Sequence, residues 1–485
     1  MNRFAVGCLA AGVFLWASFS GMRPAEAPPN IIFIIADDVS LEDIGVYGNK
    51  HIRTPHIDRL ARNGLRFDNV FLTASSCSPS RISILTGRYP HNTGAAELHT
   101  EAPSHLVFFP EVLRNAGYFT ALAGKWHEGR HTARAYDTLL VDKKANGEGG
   151  EAQWLSLLKS VPANRPFFLW LSPYDAHRDW SADSAFARPY KPEEVYVPEM
   201  LADDADTRRD LASYYNEITR MDEYIGRLTG ELERRNLLGN TLIVFTSDNP
   251  RAFTGSKTRL RDNGIRTPFV MHWPKGIRKA GHTSEALISS IDIAPTLLQA
   301  TGVQIPREIQ GKSFFRLISS PGLPFRQYVF AEHNWHDYEA YERAVRTADY
   351  LYVLNERSSF TNEGPIDAVQ SPAARSLKAL KAGKGLTPYQ QEAYIHPRPR
   401  EELYDNRKDP AQVYNMIGDK ARDAAQQLRR VLRQWQEETG DTLPDSVTRD
   451  WYHRETGKAL KQKGIRGEMP GAAVRADTIT SPGPF

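Results

Sequence analysis

Asn30-Ile31-Ile32-Phe33-Ile34-Ile35-Ala36-Asp37-Asp38 decides the fold. Ile31 to Ile35 is an uninterrupted β-favouring apolar run, and a strand carries such a run when both of its faces are buried. A central strand of a parallel sheet, covered by helices on both sides, is the reading that follows. Leu242 to Phe245 repeats the pattern and runs into Asp248-Asn249, while Phe167 to Leu171 leads to Asp175 and His177. Ligands in open α/β sheets gather at the carboxyl ends of strands. Three buried strands that each end in polar side chains therefore predict one shared site.

Helices fill the intervals. Leu211, Tyr215, Ile218, Met221, Ile225, Leu228 and Leu232 are spaced by three or four, predicting a long amphipathic helix before the Leu242 strand. Pro79 suits the first turn of a helix through Ile82 and Leu85, and Gly87 suits its end. Cys77 then sits at a helix N-terminus, where backbone N–H groups favour an anion. From about Phe325 the pattern changes. Tyr328 to Phe330, Arg343 to Val345 and Tyr350 to Val353 read as short strands of a smaller antiparallel sheet. Residues 358–399 are polar and read as loops with some helix. A helix follows from Ala421 to about Glu438, and the Gly- and Pro-rich tail after Leu460 is expected to be loosely ordered.

The chain has 485 residues, 25% of them charged, and a formal net charge of +3. Its Lys and Arg are scattered among Asp and Glu, without the basic stripe of a nucleic-acid binder. The first 27 residues read as a signal peptide. Arg3 supplies the positive end, Phe4 to Phe19 the apolar run and Ala25-Glu26-Ala27 the cleavage pattern. The mature protein is thus expected to be secreted or periplasmic and free of the membrane once the leader is cut. The two cysteines are Cys8 and Cys77. Cleavage leaves Cys77 as the one thiol of an exported chain, a liability unless it has a use.

Asp37, Asp38, Asp248 and Asn249 form an all-oxygen donor set. Capping or turn formation is the common role of Asp and Asn at strand ends. Two such pairs at two buried strand ends point instead to a hard cation such as Ca²⁺, one per chain, rather than zinc.

Cys77-Ser78-Pro79-Ser80-Arg81, followed by Leu85-Thr86-Gly87-Arg88, resembles the signature of type I sulfatases. The resemblance extends from Asn30 to Asp405, through Gly124-Lys125-Trp126-His127, Ser247-Asp248-Asn249 and Gly264-Ile265-Arg266-Thr267-Pro268. It implies an alkaline-phosphatase-like α/β fold, with a large mixed, mostly parallel sheet sandwiched by helices. A smaller C-terminal α+β domain on a short antiparallel sheet completes it, with the catalytic domain at 28–325 and the C-terminal part at 326–485. It further implies that a separate maturation enzyme oxidises Cys77 to formylglycine, whose hydrated oxygen attacks sulfur and joins Asp37, Asp38, Asp248 and Asn249 around the cation. Arg81 lies one helical turn beyond, within reach of that centre. Lys125 and Lys257 match the two sulfate-binding cations. His127 matches the base of the second step, and His177 the acid that protonates the leaving group.

The motif context is similar to the heparan N-sulfatase (sulfamidase) branch and to neighbouring bacterial polysaccharide sulfatases. Lys257, however, stands where that branch usually carries Arg. His99, His333, Trp335, His336 and Arg343 are candidate sugar contacts, with the Trp335 loop placed to close over the pocket. The expected reaction is hydrolysis of sulfate esters on a polysaccharide or glycosaminoglycan. N-sulfoglucosamine hydrolysis and phosphonate or phosphodiester hydrolysis are the alternatives within the superfamily, and an unmatured, silent sugar-binding protein is the alternative outside enzymes.

Overall fold

The computed structural model describes residues 27–418, 421–462 and 465–485. The expected leader therefore lies outside the described residues, apart from Ala27. Among the described residues, no helix is long and apolar enough to cross a membrane.

The large sheet is built from Asn30–Ala36 (β1), Leu65–Phe71 (β2), Phe119–Gly124 (β3), Thr138–Leu140 (β4), Phe167–Ser172 (β5), Thr241–Ser247 (β6), Arg266–His272 (β7), His282–Ser284 (β8) and Ile288–Ser289 (β9). Its order is β4-β3-β5-β1-β6-β7-β2-β8, with β9 also on β2. All neighbours run parallel except β7, which is antiparallel to both β6 and β2. The expected mixed, mostly parallel sheet is present, and β1 lies inside it.

Register explains why polar groups converge. Ile34 pairs with Leu171 on one side and Phe245 on the other, and Ala36 pairs with Ser247. Asp37 and Asp248 are the next residues of their chains, so they leave the sheet side by side. Gly124 pairs with Ser172, which brings Lys125 out beside the same end. The alternation along β1 splits the core in two. Ile32 and Ile34 pack with Tyr214, Ile218 and Met221 of the long helix Ala205–Arg234. Ile31, Phe33 and Ile35 pack with Ile82 and Leu85 of the Cys77–Thr86 helix and with Phe109. Every side chain from Ile31 to Ile35 is fully buried, each worth roughly 1.5–3 kcal/mol of apolar transfer. Gly87 ends the Cys77–Thr86 helix at φ 63°, a conformation that penalises a side chain.

The second sheet, Val329–His336 (β10), Tyr338–Arg346 (β11), Tyr350–Asn355 (β12) and Glu401–Asp405 (β13), is antiparallel throughout. Leu428, Leu432 and Trp435 of the Arg422–Thr439 helix cover Phe330, Val345 and Leu403. Val329 and Ala331 pack on Phe71, and the Glu332 N–H donates to Thr73 O at 2.8 Å, so the two sheets are pinned together.

The tail corrects one expectation. Arg88 donates to the carbonyls of Asp477 and Ile479, Tyr89 to that of Pro482, and the Phe485 ring meets Phe325. Those anchors are mostly backbone carbonyls, which leave no side-chain pattern in the sequence.

Candidate active site

Residue 77 is the first residue of its helix and is buried. Its Sγ lies 3.7 Å from Asp37 Oδ1. Asp37 also meets the Lys125 ammonium. Burial alone would raise the Asp37 carboxyl, but Lys125, His177, Arg81 and Lys257 hold it well below the usual carboxylate range. Arg81, one turn along the helix, donates from Nε to Asp248 Oδ2 at 2.7 Å, and its NH1 meets Ser172 Oγ. Lys257 reaches Asp38 at 2.7 Å and Asp367 at 3.4 Å. Burial opposes its charge, yet Asp367 and Asp38 hold the ammonium well above its ordinary value.

Ligand atoms of Asp37, Asp38, Cys77 and Asp248 all lie within 4.8 Å of one another, each from a buried residue. Burial, reinforced by Asp37, pushes the Asp248 carboxyl up to about 6 despite Arg81. Asn249 Oδ1 is buried without a hydrogen-bond partner while its amide N–H₂ meets Asp38. An orphaned carbonyl beside crowded carboxylates fits a hard cation.

His127 Nε2 lies 2.8 Å from His99 Nδ1, and its own Nδ1 is buried without a partner. Burial, Lys125 and His99 hold His127 well below the ordinary histidine value, so the imidazole is neutral and can accept a proton. His177 is about a third exposed (37%), with Nε2 3.9 Å from Asp367.

This convergence accompanies a match to the family model described as "Sulfatase" over residues 29–303, more than half of the chain. The chain belongs to the sulfatase family. It is accordingly an enzyme, a sulfuric ester hydrolase. Residues 256–357 of this sulfatase also match the model described as "N-sulphoglucosamine sulphohydrolase, C-terminal". The sulfatase is 31% identical over 475 residues to the human N-sulphoglucosamine sulphohydrolase, covering 87% of this chain and 93% of that protein. It is 27% identical over 472 residues to an ulvan-active sulfatase of Formosa agariphila, covering 91% and 89%. A solved structure with bound D-glucosamine-2-N,6-O-disulfate superimposes with a TM-score of 0.66 at 22% identity, covering 84% and 98% of the two chains. At that identity it shows the shared fold.

The fold gathers Asp37, Asp38, Cys77, Arg81, Lys125, His127, His177, Lys257, Asp248 and Asn249 of this sulfatase at one end of the sheet. The sugar-contact residues divide. His99 is exposed beside His127. His336 Nδ1 lies 2.8 Å from Ser76 Oγ, and His336 and His333 line a cavity with Thr258, Tyr338, Arg357 and Arg398. Arg343 does not fit that reading. It is fully buried and forks onto Asp441 with two 2.7 Å bonds, 3.7 Å from Glu332, so it is an internal ion pair. Trp335 is also no closing loop. It belongs to β10, is 1% exposed, packs with Cys77 and Leu98, and donates from its indole to Arg449 O at 2.9 Å.

Sequence reasoning missed Ser172, Glu128 and Asp367. Glu128 is buried 4.0 Å from Arg81 and accepts the His127 backbone N–H at 2.9 Å. Its place in the chain, next to His127, was the available signal. Asp367 bridges Lys257 and His177 from a segment 110 residues beyond Lys257, and no spacing announces it.

Proposed function

We propose that this enzyme hydrolyses sulfate esters of a sulfated polysaccharide or glycosaminoglycan, using formylglycine made from Cys77 by a maturation enzyme. The observation that carries the reading is Cys77 at a helix start against Asp37, between the Lys125 and Lys257 ammonium groups. Asp37, Asp38, Asp248 and Asn249, with the oxygen of residue 77, would hold one Ca²⁺. Bound there, a cation would lower the pKa of the residue-77 hydroxyl and polarise the sulfate.

The chain's own groups then divide the work. Lys125 and Lys257 hold the charge that develops on sulfate oxygens. His177, at the open side, gives its proton to the departing oxygen. Once the other hydroxyl oxygen of residue 77 has bonded to sulfur in place of the departing oxygen, neutral His127 takes a proton from the remaining hydroxyl. The C–O bond to sulfate breaks, the aldehyde re-forms and sulfate leaves; water then rehydrates the aldehyde. Glu128 fixes the backbone of His127, and Arg81 offsets the charge of Asp248. His99, His333 and His336 contact the sugar. Export to the periplasm or medium, as the leader reading implies, suits a polymeric substrate.

A second reading, hydrolysis of an N-sulfoglucosamine, is favoured by the match of residues 256–357 and by the 31% identity to the human enzyme of that name. A desulfation screen over defined glycosaminoglycan and algal oligosaccharides decides between them. Release from O-sulfated sugars alone supports the first reading, release from N-sulfated glucosamine alone the second, and release from neither defeats both.

A further inference from the structure

His177 is held by few contacts of its own ring. Asp367 lies 3.9 Å away, and Nδ1 meets Arg178 O. The residues around it are gripped much more firmly. Arg220 forks onto Asp175 with bonds of 2.8 and 2.6 Å, and Arg178 forks onto Asp210 with bonds of 2.8 and 2.9 Å. Asp175 is two residues before His177 and Arg178 one after. Both anchors stand on the helix Ala205–Arg234.

The same helix reaches the strand ends at two further points. Tyr214 Oη lies 2.9 Å from both Asp38 O and Asp43 Oδ2, and Glu217 accepts the Ser181 N–H at 2.7 Å. Asp210, Tyr214, Glu217 and Arg220 are spaced by four, three and three, so they share one side of the helix. Arg220 also meets the Glu217 carboxylate, so its guanidinium bridges Asp175 and Glu217, while burial and the adjacent Asp175 push the Glu217 carboxyl up. The Asp175 carbonyl in turn accepts the Asp37 N–H at 3.0 Å, and the Ala176 N–H donates to Asp37 O at 2.7 Å.

We propose that Asp210 and Arg220 are positioning residues. Two partly buried guanidinium–carboxylate forks to one helix set where the His177 imidazole stands relative to residue 77. A fork fixes angle as well as distance, which a single bond does not. The segment they hold has no regular secondary structure, so the helix serves as its ruler. A misplacement of about 1 Å at an acid costs on the order of 100-fold in rate. The proposal rests on the reading of His177 as the acid.

The test is a leaving-group comparison with p-nitrophenyl sulfate, whose phenolate leaves without a proton, and p-methoxyphenyl sulfate, whose phenolate needs one. Arg220→Gln and Asp210→Asn should lower kcat on the methoxy ester by about 10- to 100-fold and on the nitro ester by less than about threefold, with KM unchanged. Arg220→Lys, which keeps the charge and guards against simple unfolding, should fall between them. His177→Ala is the reference and should show the same selectivity. Equal losses on both esters, or no loss, in folded Arg220 and Asp210 variants overturn the positioning role. Indifference of His177→Ala to the leaving group overturns the acid assignment and the positioning role with it.

Discussion

Cys77 Sγ stands 3.7 Å from Asp37 Oδ1, at the point where a buried helix start meets the end of the central strand. The thiol itself is a poor nucleophile there. Burial pushes it far above its ordinary value, and Lys125 and Lys257 only partly offset that. Substituting Cys77→Ala should abolish sulfate release while the melting temperature stays within a few degrees, because the side chain is small. Circular dichroism alongside a sulfate assay checks both halves.

Arg81 and Asp248 form a fully buried pair. Removing the guanidinium in Arg81→Met leaves Asp248 uncompensated among Asp37 and Asp38, which should cost about 3–5 kcal/mol. Urea denaturation should show that loss, together with loss of activity. A variant as stable and as active as the parent would rule out the pairing as described.

A cation bound by the four carboxylate and amide residues should stabilise the fold as well as support turnover. At 100-fold excess over Kd the gain is about 2.7 kcal/mol. EDTA should therefore lower the melting temperature by several degrees and stop sulfate release. Ca²⁺ should restore both, whereas Asp248→Ala should make the melting temperature indifferent to Ca²⁺.

Asp441 gives a pH dependence away from the catalytic end. Burial works to raise its carboxyl, but the Arg343 fork overrides this and holds it at about 2. Its folded pKa is thus depressed below the unfolded value of about 3.9. The stabilisation is complete above that value and is lost as pH falls toward 2. Asp441→Asn should be less stable at neutral pH and show a flatter loss of stability between about pH 4 and 2, read from urea midpoints across that range.

Much of the fold was legible because burial on both faces leaves a continuous apolar run. Ile31 to Ile35 and Leu242 to Phe245 mark adjacent strands, and their ends place Asp37 beside Asp248. Lys125, Lys257, His127 and His177 came through the resemblance, since no periodicity links Lys125 to Lys257. Arg343 was misread because it stands near His333, Trp335 and His336 in the sequence, a grouping of residue types that suits an acidic sugar. Its true partner, Asp441, lies 98 residues away and leaves no local trace. Asp367 escaped for the same reason, and the tail escaped because carbonyl oxygens hold it.

The most direct measurement is peptide mass spectrometry across residue 77, on active protein made in a host that carries the maturation enzyme. An aldehyde at residue 77, in proportion to specific activity across preparations, is the predicted result. A fully active preparation with an unmodified thiol at Cys77 would contradict it.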